Sequence, residues 1–186
     1  MINLSLETIC LLMALEVKYP YQIHLIKGNQ KDIIINSGFG FQDECEGRLN
    51  DESENEDSLF SLRNNFLLTF GCDYWRPNFM CSWGIGSNVK KLSDIDGIPP
   101  PFEVIHEAQT RDKKLAMDLL WSDPTDNDEE LGIQPNVQRD SNQLGHIVKY
   151  GPDVVKKFLK DNNLSHIIRG YECVLDGFER FVVGYY

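Results

Sequence analysis

The most apolar stretch of the chain, residues 4–15, constrains the fold more than any other feature. Ser5 can cap a helix there, Glu7 would lie in the first turn, where a carboxylate is favourable, and Pro20 would end the helix. Apolar residues occur on nearly every side of this helix, so we expect it to be buried inside a larger body. The stretch is too short to span a bilayer and no basic segment precedes it, so we expect neither a membrane anchor nor a signal peptide.

Helix-like and strand-like segments alternate along the rest of the chain. Helices are predicted at 41–49, 115–121 and 152–160, strands at 22–27, 79–83, 165–169 and 179–183, and a loop at 122–142. This alternation is typical of a mixed α/β layered fold. A chain of 186 residues is long enough for one core, so we expect a single domain covering residues 1–186.

Acidic residues outnumber basic ones, 29 Asp and Glu against 18 Lys and Arg, for a formal net charge of -11. Nucleic-acid binding needs Lys and Arg to displace counterions from phosphates, and anionic lipid repels an acidic protein. We therefore expect neither a nucleic-acid partner nor a membrane partner. Protein partners stay open, and nothing in the sequence identifies one.

The cysteines and histidines show no spacing typical of a metal site. The five cysteines include no C-x-x-C pair, and the four histidines form neither H-x-H nor H-E-x-x-H. We interpret the cysteines as buried reduced thiols, which are typical of an intracellular protein, cytoplasmic or nuclear. Spacing alone predicts no function.

Four segments carry a resemblance to a known family. They are S-L-E-T-I at 5–9 continuing to H-L-I-K-G-N at 24–29, F-G-F at 39–41 with E-C at 44–45, D-L-L-W-S-D-P-T at 118–125, and R-G-Y-E-C-V-L-D-G-F-E-R-F at 169–181. In order and approximate spacing they resemble the phosphoprotein phosphatase superfamily, and their amino-acid sequences are most similar to those of the plant kelch-repeat serine/threonine phosphatases. The resemblance covers nearly the whole chain but only the middle of the family's catalytic domain, and no kelch repeat is present.

The resemblance implies a partial metallophosphoesterase-like layered α/β fold, with mixed β-sheets flanked by helices. It also implies hydrolysis of phosphoserine and phosphothreonine with two divalent metals, manganese, iron or zinc, which activate a water molecule. A histidine would serve as general acid and arginines would hold the phosphate. The family's first metal motifs would precede residues 5–8 and its final strand would follow Tyr186, so we expect a catalytic domain truncated at both ends.

Residue by residue, the resemblance implies that most site groups are replaced. The family's G-N-H-E falls on residues 28–31, where Asn29 keeps an amide metal ligand and Gln30 stands in place of the general-acid histidine. Ser82 replaces a histidine ligand, with the bulky Trp83 beside it, and Tyr171 replaces another histidine.

Arg139 corresponds to a phosphate-binding arginine of the family. One neutral amide cannot hold two hydrated dications, and a glutamine cannot deliver a proton near neutral pH. We therefore expect no bound cofactor and a catalytically inactive fragment. The alternative is an active metal-dependent phosphatase, completed by residues outside this chain. We expect Arg169, Asp176 and Phe178 to be structural, and Trp121 to be a core or loop anchor.

Overall fold

The computed structural model describes residues 5–29, 40–49, 71–75, 77–98, 110–140, 145–170 and 172–182. The chain forms two compact units, Met1–Thr69 with Pro100–Glu103, and Phe70–Pro99 with Val104–Tyr186. The single domain expected over residues 1–186 stays a prediction. Within the described ranges, no helix is both long and apolar enough to cross a bilayer.

The first unit contains two described helices, α1 (Ser5–Lys18) and α2 (Phe41–Leu49). None of the residues of α1 is buried, and Leu11 and Val17 are 60% and 77% exposed. The predicted burial of this helix is therefore wrong.

Charged side chains connect α1 with α2. Arg48 of α2 donates hydrogen bonds to Glu7 Oε2 at 2.9 Å and to Glu44 Oε1 at 3.1 Å. The hydrogen bond with Arg48 lowers the pKa of Glu7 to about 2. At this point α1 meets a charged side chain of α2 and not an apolar one.

The segment after α1 does not form the predicted strand at 22–27. The N–H of Ile23 donates to the Tyr19 carbonyl at 3.0 Å, and that of Leu25 donates to Glu16 Oε1 at 2.9 Å. Only Ile26 forms an isolated bridge. The prediction is wrong because a turn and a side-chain carboxylate take backbone donors that a strand would offer to its neighbour.

The second unit contains two three-stranded sheets. Its strands are β1 (Gly71–Trp75), β2 (Asn78–Cys81), β3 (Asp123–Pro124), β4 (Ile133–Pro135), β5 (Val148–Tyr150) and β6 (His166–Arg169). The first sheet has the order β1-β2-β6, and the second sheet has the order β3-β5-β4. Each combines a parallel pair, β2 with β6 or β3 with β5, with an antiparallel pair, which confirms the predicted mixed sheets. The segment predicted as a loop at 122–142 contains two of these strands, β3 and β4.

The predicted strand at 179–183 is not found in its described part, residues 179–182. Val182 has a φ of 67°, outside the range of a strand, and its N–H donates to Asp128 Oδ1 at 3.1 Å. Phe178 is 68% exposed and Asp176 is also exposed, so the expected packing of Phe178 is wrong. Both side chains flank a turn at Gly177, which points them away from the core.

The cysteines divide into two groups among those with described side chains. Cys45 and Cys81 are buried free thiols, as expected, whereas Cys10 and Cys173 are exposed. Cys10 is exposed because it belongs to α1, the helix that buries nothing.

Two helices of the second unit precede the second sheet, α3 (Leu92–Asp96) and α4 (Arg111–Trp121). Thr110 caps α4 and accepts a hydrogen bond from the N–H of Lys113 at 3.3 Å. Residues 115–120 of α4 are all buried, so this helix forms the centre of the unit.

The last helix, α5 (Pro152–Asp161), carries Pro152 in its first turn, as predicted. One face of α5 buries Val155, Phe158 and Leu159. The ring of Phe158 packs against Phe79 of β2, with 5.7 Å between the ring centroids. This contact attaches α5 to the first sheet.

Phe158→Ala should lower the free energy of unfolding by about 3–5 kcal/mol, because it leaves a cavity against Phe79. Urea denaturation of the whole chain measures the change. Lys160→Ala, on the exposed side of the same helix, should change the free energy of unfolding by less than about 0.5 kcal/mol. Equal effects of the two substitutions would contradict the packing of α5.

Candidate functional site

Parallel pairing of β2 and β6 brings Ser82 and Arg169 together. Cys81 lies opposite Arg169 in the register, and the N–H of Gly170 donates to the Ser82 carbonyl at 3.3 Å. The carboxyl ends of parallel strands meet at one edge of a sheet, where α/β proteins commonly place their sites. Ser82, expected in place of a metal-binding histidine, therefore lies next to Arg169.

A buried carboxylate lies at the centre of the site. Asp123 begins β3, directly after α4, and its side chain is 7% exposed. Its Oδ2 accepts hydrogen bonds from Asn136 Nδ2 at 2.8 Å and from Arg139 Nε at 2.7 Å. Arg169 Nη2 lies 3.7 Å from Oδ1 in an ion pair. A buried charge requires such partners, and two guanidinium groups supply them here.

The guanidinium of Arg139 lies over an aromatic face. Its Cζ atom is 4.2 Å from the centre of the Trp83 ring, which is fully buried. Trp83 in turn packs on Trp121, with ring centroids 5.8 Å apart, so Trp121 acts as the expected anchor. The guanidinium of Arg139 is thus held by the Asp123 carboxylate at its edge and by the Trp83 ring on its face.

A turn that begins at Asn136 positions Arg139. The N–H groups of Arg139 and Asp140 both donate to the Asn136 carbonyl, at 3.1 and 2.8 Å. The N–H of Asn136 donates to the Ile147 carbonyl at 2.9 Å, and Asp140 Oδ2 accepts from the N–H of His146 at 3.1 Å. These bonds attach the turn to β5 and aim Arg139 at Asp123.

Arg169 is only partly satisfied within the described residues. Its Nη1 donates to Glu172 Oε2 at 2.9 Å. Its Nε and Nη2 atoms are buried and have no hydrogen-bond partner among the described residues, and the same holds for Asp123 Oδ1. The charges of Arg169 and Asp123 are therefore close together without a hydrogen bond between them.

Because Gly84 has no side chain, its backbone packs directly against Tyr150. A Cβ atom at position 84 would lie 2.8 Å from Tyr150 Oη and 2.7 Å from the Ser122 carbonyl oxygen. Burial raises the pKa of Tyr150, which also packs edge-on against Phe181 at 6.5 Å between centroids. The phenol is therefore a neutral packing element beneath the site.

Asp118 of α4 holds the loop that follows Gly84. Its carboxylate accepts a hydrogen bond from the backbone N–H of Asn88. Gly86 has a φ of +51° and touches the Asp118 side chain so closely that no Cβ fits between them. Burial raises the pKa of Asp118 to about 6.

The predicted site residues fall into two groups. Asn29 is buried in the first unit, and Ser82 and Arg139 belong to the second. Gln30 and Tyr171 lie outside the described residues.

The donors at the described positions do not fit a pair of divalent metals. Nowhere in the described residues do three His, Cys, Asp or Glu side chains come together in the way a metal ion requires. Asn29 and Ser82 carry neutral donors, and the carboxylate of Asp123 is already engaged by arginines. Divalent ions of this size prefer free carboxylates and imidazoles.

Sequence reasoning missed the central role of two residues. Asp123 was part of the D-L-L-W-S-D-P-T run without a role of its own, and Asn136 was not singled out. The available signal was the position of Asp123, between the buried run at residues 115–120 and Pro124. Arg169 was expected to be structural, and its ion pairs with Asp123 and Glu172 agree with that.

Comparisons with known proteins add to this geometry. The model of the calcineurin-like phosphoesterase family matches residues 3–172. The chain is 39% identical over 184 residues to serine/threonine-protein phosphatase BSL2 of Arabidopsis thaliana, a match that covers 97% of this chain and 17% of that protein. The chain therefore spans about a sixth of the length of this relative.

A solved structure has the same fold. It is a protein serine/threonine phosphatase from Saccharomyces cerevisiae with similarity to human phosphatase PP5, matched with a TM-score of 0.72 and 23% identity over 92% of this chain and 48% of that one. At that identity the likeness concerns the fold alone. It confirms the expected layered α/β fold.

Gly84→Ala should lower the free energy of unfolding by about 1–3 kcal/mol, because the new methyl group overlaps Tyr150 and the Ser122 carbonyl. Gly170→Ala is the matched control, since a Cβ atom there has nothing within 4 Å. The control should stay within about 0.5 kcal/mol of the wild type. Chemical denaturation measures both, and a tolerated Gly84→Ala would contradict the contact.

The Asp118 carboxyl should titrate with a midpoint of about 6, followed by carbon-detected NMR. Its folded pKa lies above the ordinary value of 3.8 for an aspartate, so the folded state binds the proton more tightly than the unfolded state. This group alone should therefore lower the free energy of unfolding by about 3 kcal/mol as pH rises from about 4 to about 7. Asp118→Asn should remove that pH dependence, whereas Asp112→Asn in the same helix should keep it. A midpoint near 4 would contradict the burial argument.

Proposed function

Since the chain belongs to the calcineurin-like phosphoesterase family and is a serine/threonine-phosphatase-like protein, we propose that it is a noncatalytic member, which does not hydrolyse phosphoesters by itself. The observation that carries the proposal is Ser82, which by resemblance stands where the family has a histidine ligand. A neutral hydroxyl is a poor replacement for an imidazole at a transition-metal site.

Proton transfer is the second argument. By resemblance, Gln30 occupies the position of the general acid. A carboxamide neither accepts nor releases a proton near neutral pH, so it cannot protonate a leaving alkoxide. Even with metals supplied, the departing group would lack its proton donor.

The charges around Asp123 are the third argument. Divalent metals prefer free carboxylate oxygens as ligands, but Asp123 is bound by Asn136 and Arg139 and paired with Arg169. A dication at this position would have to displace these partners from the carboxylate.

A second candidate is an active metal-dependent phosphatase of phosphoserine and phosphothreonine. The retained amide of Asn29 and the retained Arg139 favour it. Because this chain spans a small part of its plant relative, further segments or another chain could supply the missing ligands. This candidate requires bound metal, which makes it separable by experiment.

The proposal extends to cofactors, partners and compartment. We propose that the chain binds no manganese, iron or zinc, and that it acts through protein partners in the cytoplasm or nucleus. Its net charge of -11 supports a protein partner over nucleic acid or membrane.

Metal analysis combined with an activity assay tests the proposal. Purified chain, incubated with Mn²⁺ and desalted, should retain well under one metal ion per molecule by mass spectrometry. Hydrolysis of p-nitrophenyl phosphate should not exceed the rate of a heat-denatured sample. The physical reason is the lack of anionic and imidazole ligands at the matched positions.

Asn29→Ala and a chelator serve as controls. If a chelator and Asn29→Ala each abolish hydrolysis, the noncatalytic proposal is contradicted and the second candidate is established. Turnover that survives both would come from a contaminating enzyme and would leave the chain itself without activity.

A further inference from the structure

Exposed apolar side chains cluster on β4 and its immediate neighbours. Leu131, Ile133 and Val137 are 61%, 41% and 62% exposed, and Pro135 is exposed as well. Residues 131–137, the β4 edge, thus carry four exposed apolar side chains in seven positions. Single apolar residues are common on protein surfaces, but a contiguous group of them is typical of a contact surface.

The β4 edge also has backbone groups available for pairing. In the order β3-β5-β4, β4 is the outer strand, and among the described residues no strand pairs with its other side. The N–H of Gly151 donates to the Gly132 carbonyl at 2.8 Å. Two positions further along on each side, the Asn136 N–H and the Ile147 carbonyl continue the ladder at 2.9 Å. Backbone groups alternate along an antiparallel strand, so the N–H and C=O of Ile133 point away from β5.

The side chains of β4 continue the buried face of the second sheet. Ile133 pairs with Tyr150 in the register, and Pro135 pairs with Val148. Residues directly opposite each other in a sheet have their side chains on the same face. Because Tyr150 and Val148 are buried, a strand added beside β4 would extend the core with its own apolar side chains.

An acidic run precedes the β4 edge. Residues 126–130 carry four carboxylates in five positions, and Asp126, Asp128 and Glu129 are exposed. Lys149 adds one positive charge beside them, with its Nζ atom 2.6 Å from Asp126 Oδ1. Negative charge is therefore in excess where β4 begins, and it attracts a basic partner and repels an acidic one.

We propose that the β4 edge binds an extended peptide of a partner protein, which adds a strand antiparallel to β4. The main chain of the peptide pairs with the N–H and C=O of Ile133, and its alternate apolar side chains pack beside Ile133 and Pro135. Because the strands are antiparallel, the apolar positions are followed by Lys or Arg residues, which meet the acidic run. The inference rests on the proposed role through protein partners.

Size and charge favour a peptide over a second copy of the chain. A standard protein interface involves about 20–30 residues on each side, whereas the β4 edge has seven. A second copy would also bring a net charge of -11 to an acidic region. Pro135 has no N–H, so it interrupts the donors of the edge and limits pairing to a short strand.

Hydrogen exchange in the wild-type chain tests the proposal directly. The probe is the peptide V-T-I-T-V-K-K-K, blocked at both ends, and NMR follows the exchange of single backbone N–H groups. At saturating peptide, exchange of the Ile133 N–H should slow by at least about tenfold, because this group gains a hydrogen bond. The N–H of Gln134 points towards β5 and is the internal control, which should change far less. Unchanged exchange at Ile133 up to the solubility limit of the peptide would overturn the inference.

Fluorescence anisotropy of the same peptide, labelled with fluorescein, measures its affinity. Ile133→Ser should weaken binding by at least about fivefold, since the peptide loses an apolar contact. Val17→Ser is the matched control, because it removes an exposed apolar side chain from α1, and it should bind like the wild type. The peptide V-T-I-T-V-E-E-E should bind at least about tenfold more weakly than the basic one, because it repels the acidic run.

Equal binding by the wild type and Ile133→Ser, or by the basic and acidic peptides, contradicts the inference. If circular dichroism shows that Ile133→Ser is unfolded, the exchange measurement on the wild type decides alone. A wild-type dimer that becomes monomeric in Ile133→Ser, measured by analytical ultracentrifugation, would assign the β4 edge to a second copy and refute the peptide. None of these measurements involves metal or hydrolysis, so their failure leaves the outcome of the turnover assay unaffected.

Discussion

Burial of the Asp123 carboxylate is the constraint on which the second unit depends. An ionised carboxylate cannot be buried without partners, and its partners reach it from separate parts of the chain. Asn136 and Arg139 bring the turn after β4, while Arg169 brings the end of β6. Since Asp123 belongs to the second sheet and Arg169 to the first, one anion links the edges of both sheets. The buried apolar side chains of α4 and α5 belong to the same unit, and the ion pairs of Asp123 connect its two sheets.

The fold of the second unit depends on interactions that are separate from the chemistry of a site. The fold depends on apolar burial, on strand pairing and on the balance of buried charge, none of which needs a metal. At the matched positions, Ser82 is neutral and Arg139 is balanced by Asp123. A buried pair whose charges compensate each other is stable without a further ion, whereas carboxylates clustered without a cation would repel one another.

Sequence patterns predicted the elements whose signals are local. The last helix was predicted from Pro152 near its start, and β6 agrees with the strand predicted at 165–169. The burial predicted for α1 was wrong, and the ion pair of Glu7 with Arg48 of α2 joins residues 41 positions apart, which no local pattern reveals. The strand at 179–183 failed for a similar reason, since Asp128 captures the Val182 N–H from a distant loop. In the site, the resemblance located Arg139, but the pairing of Asp123 with two arginines requires contacts that span 16 and 46 residues of sequence.

Packing and site geometry are coupled in the second unit. The ring of Trp83 lies under Arg139, whose guanidinium is hydrogen-bonded to Asp123. Removing Trp83 would leave a cavity against Trp121, because the two rings pack on each other within the core. A substitution at Trp83 would therefore change both the stability of the unit and the position of Arg139.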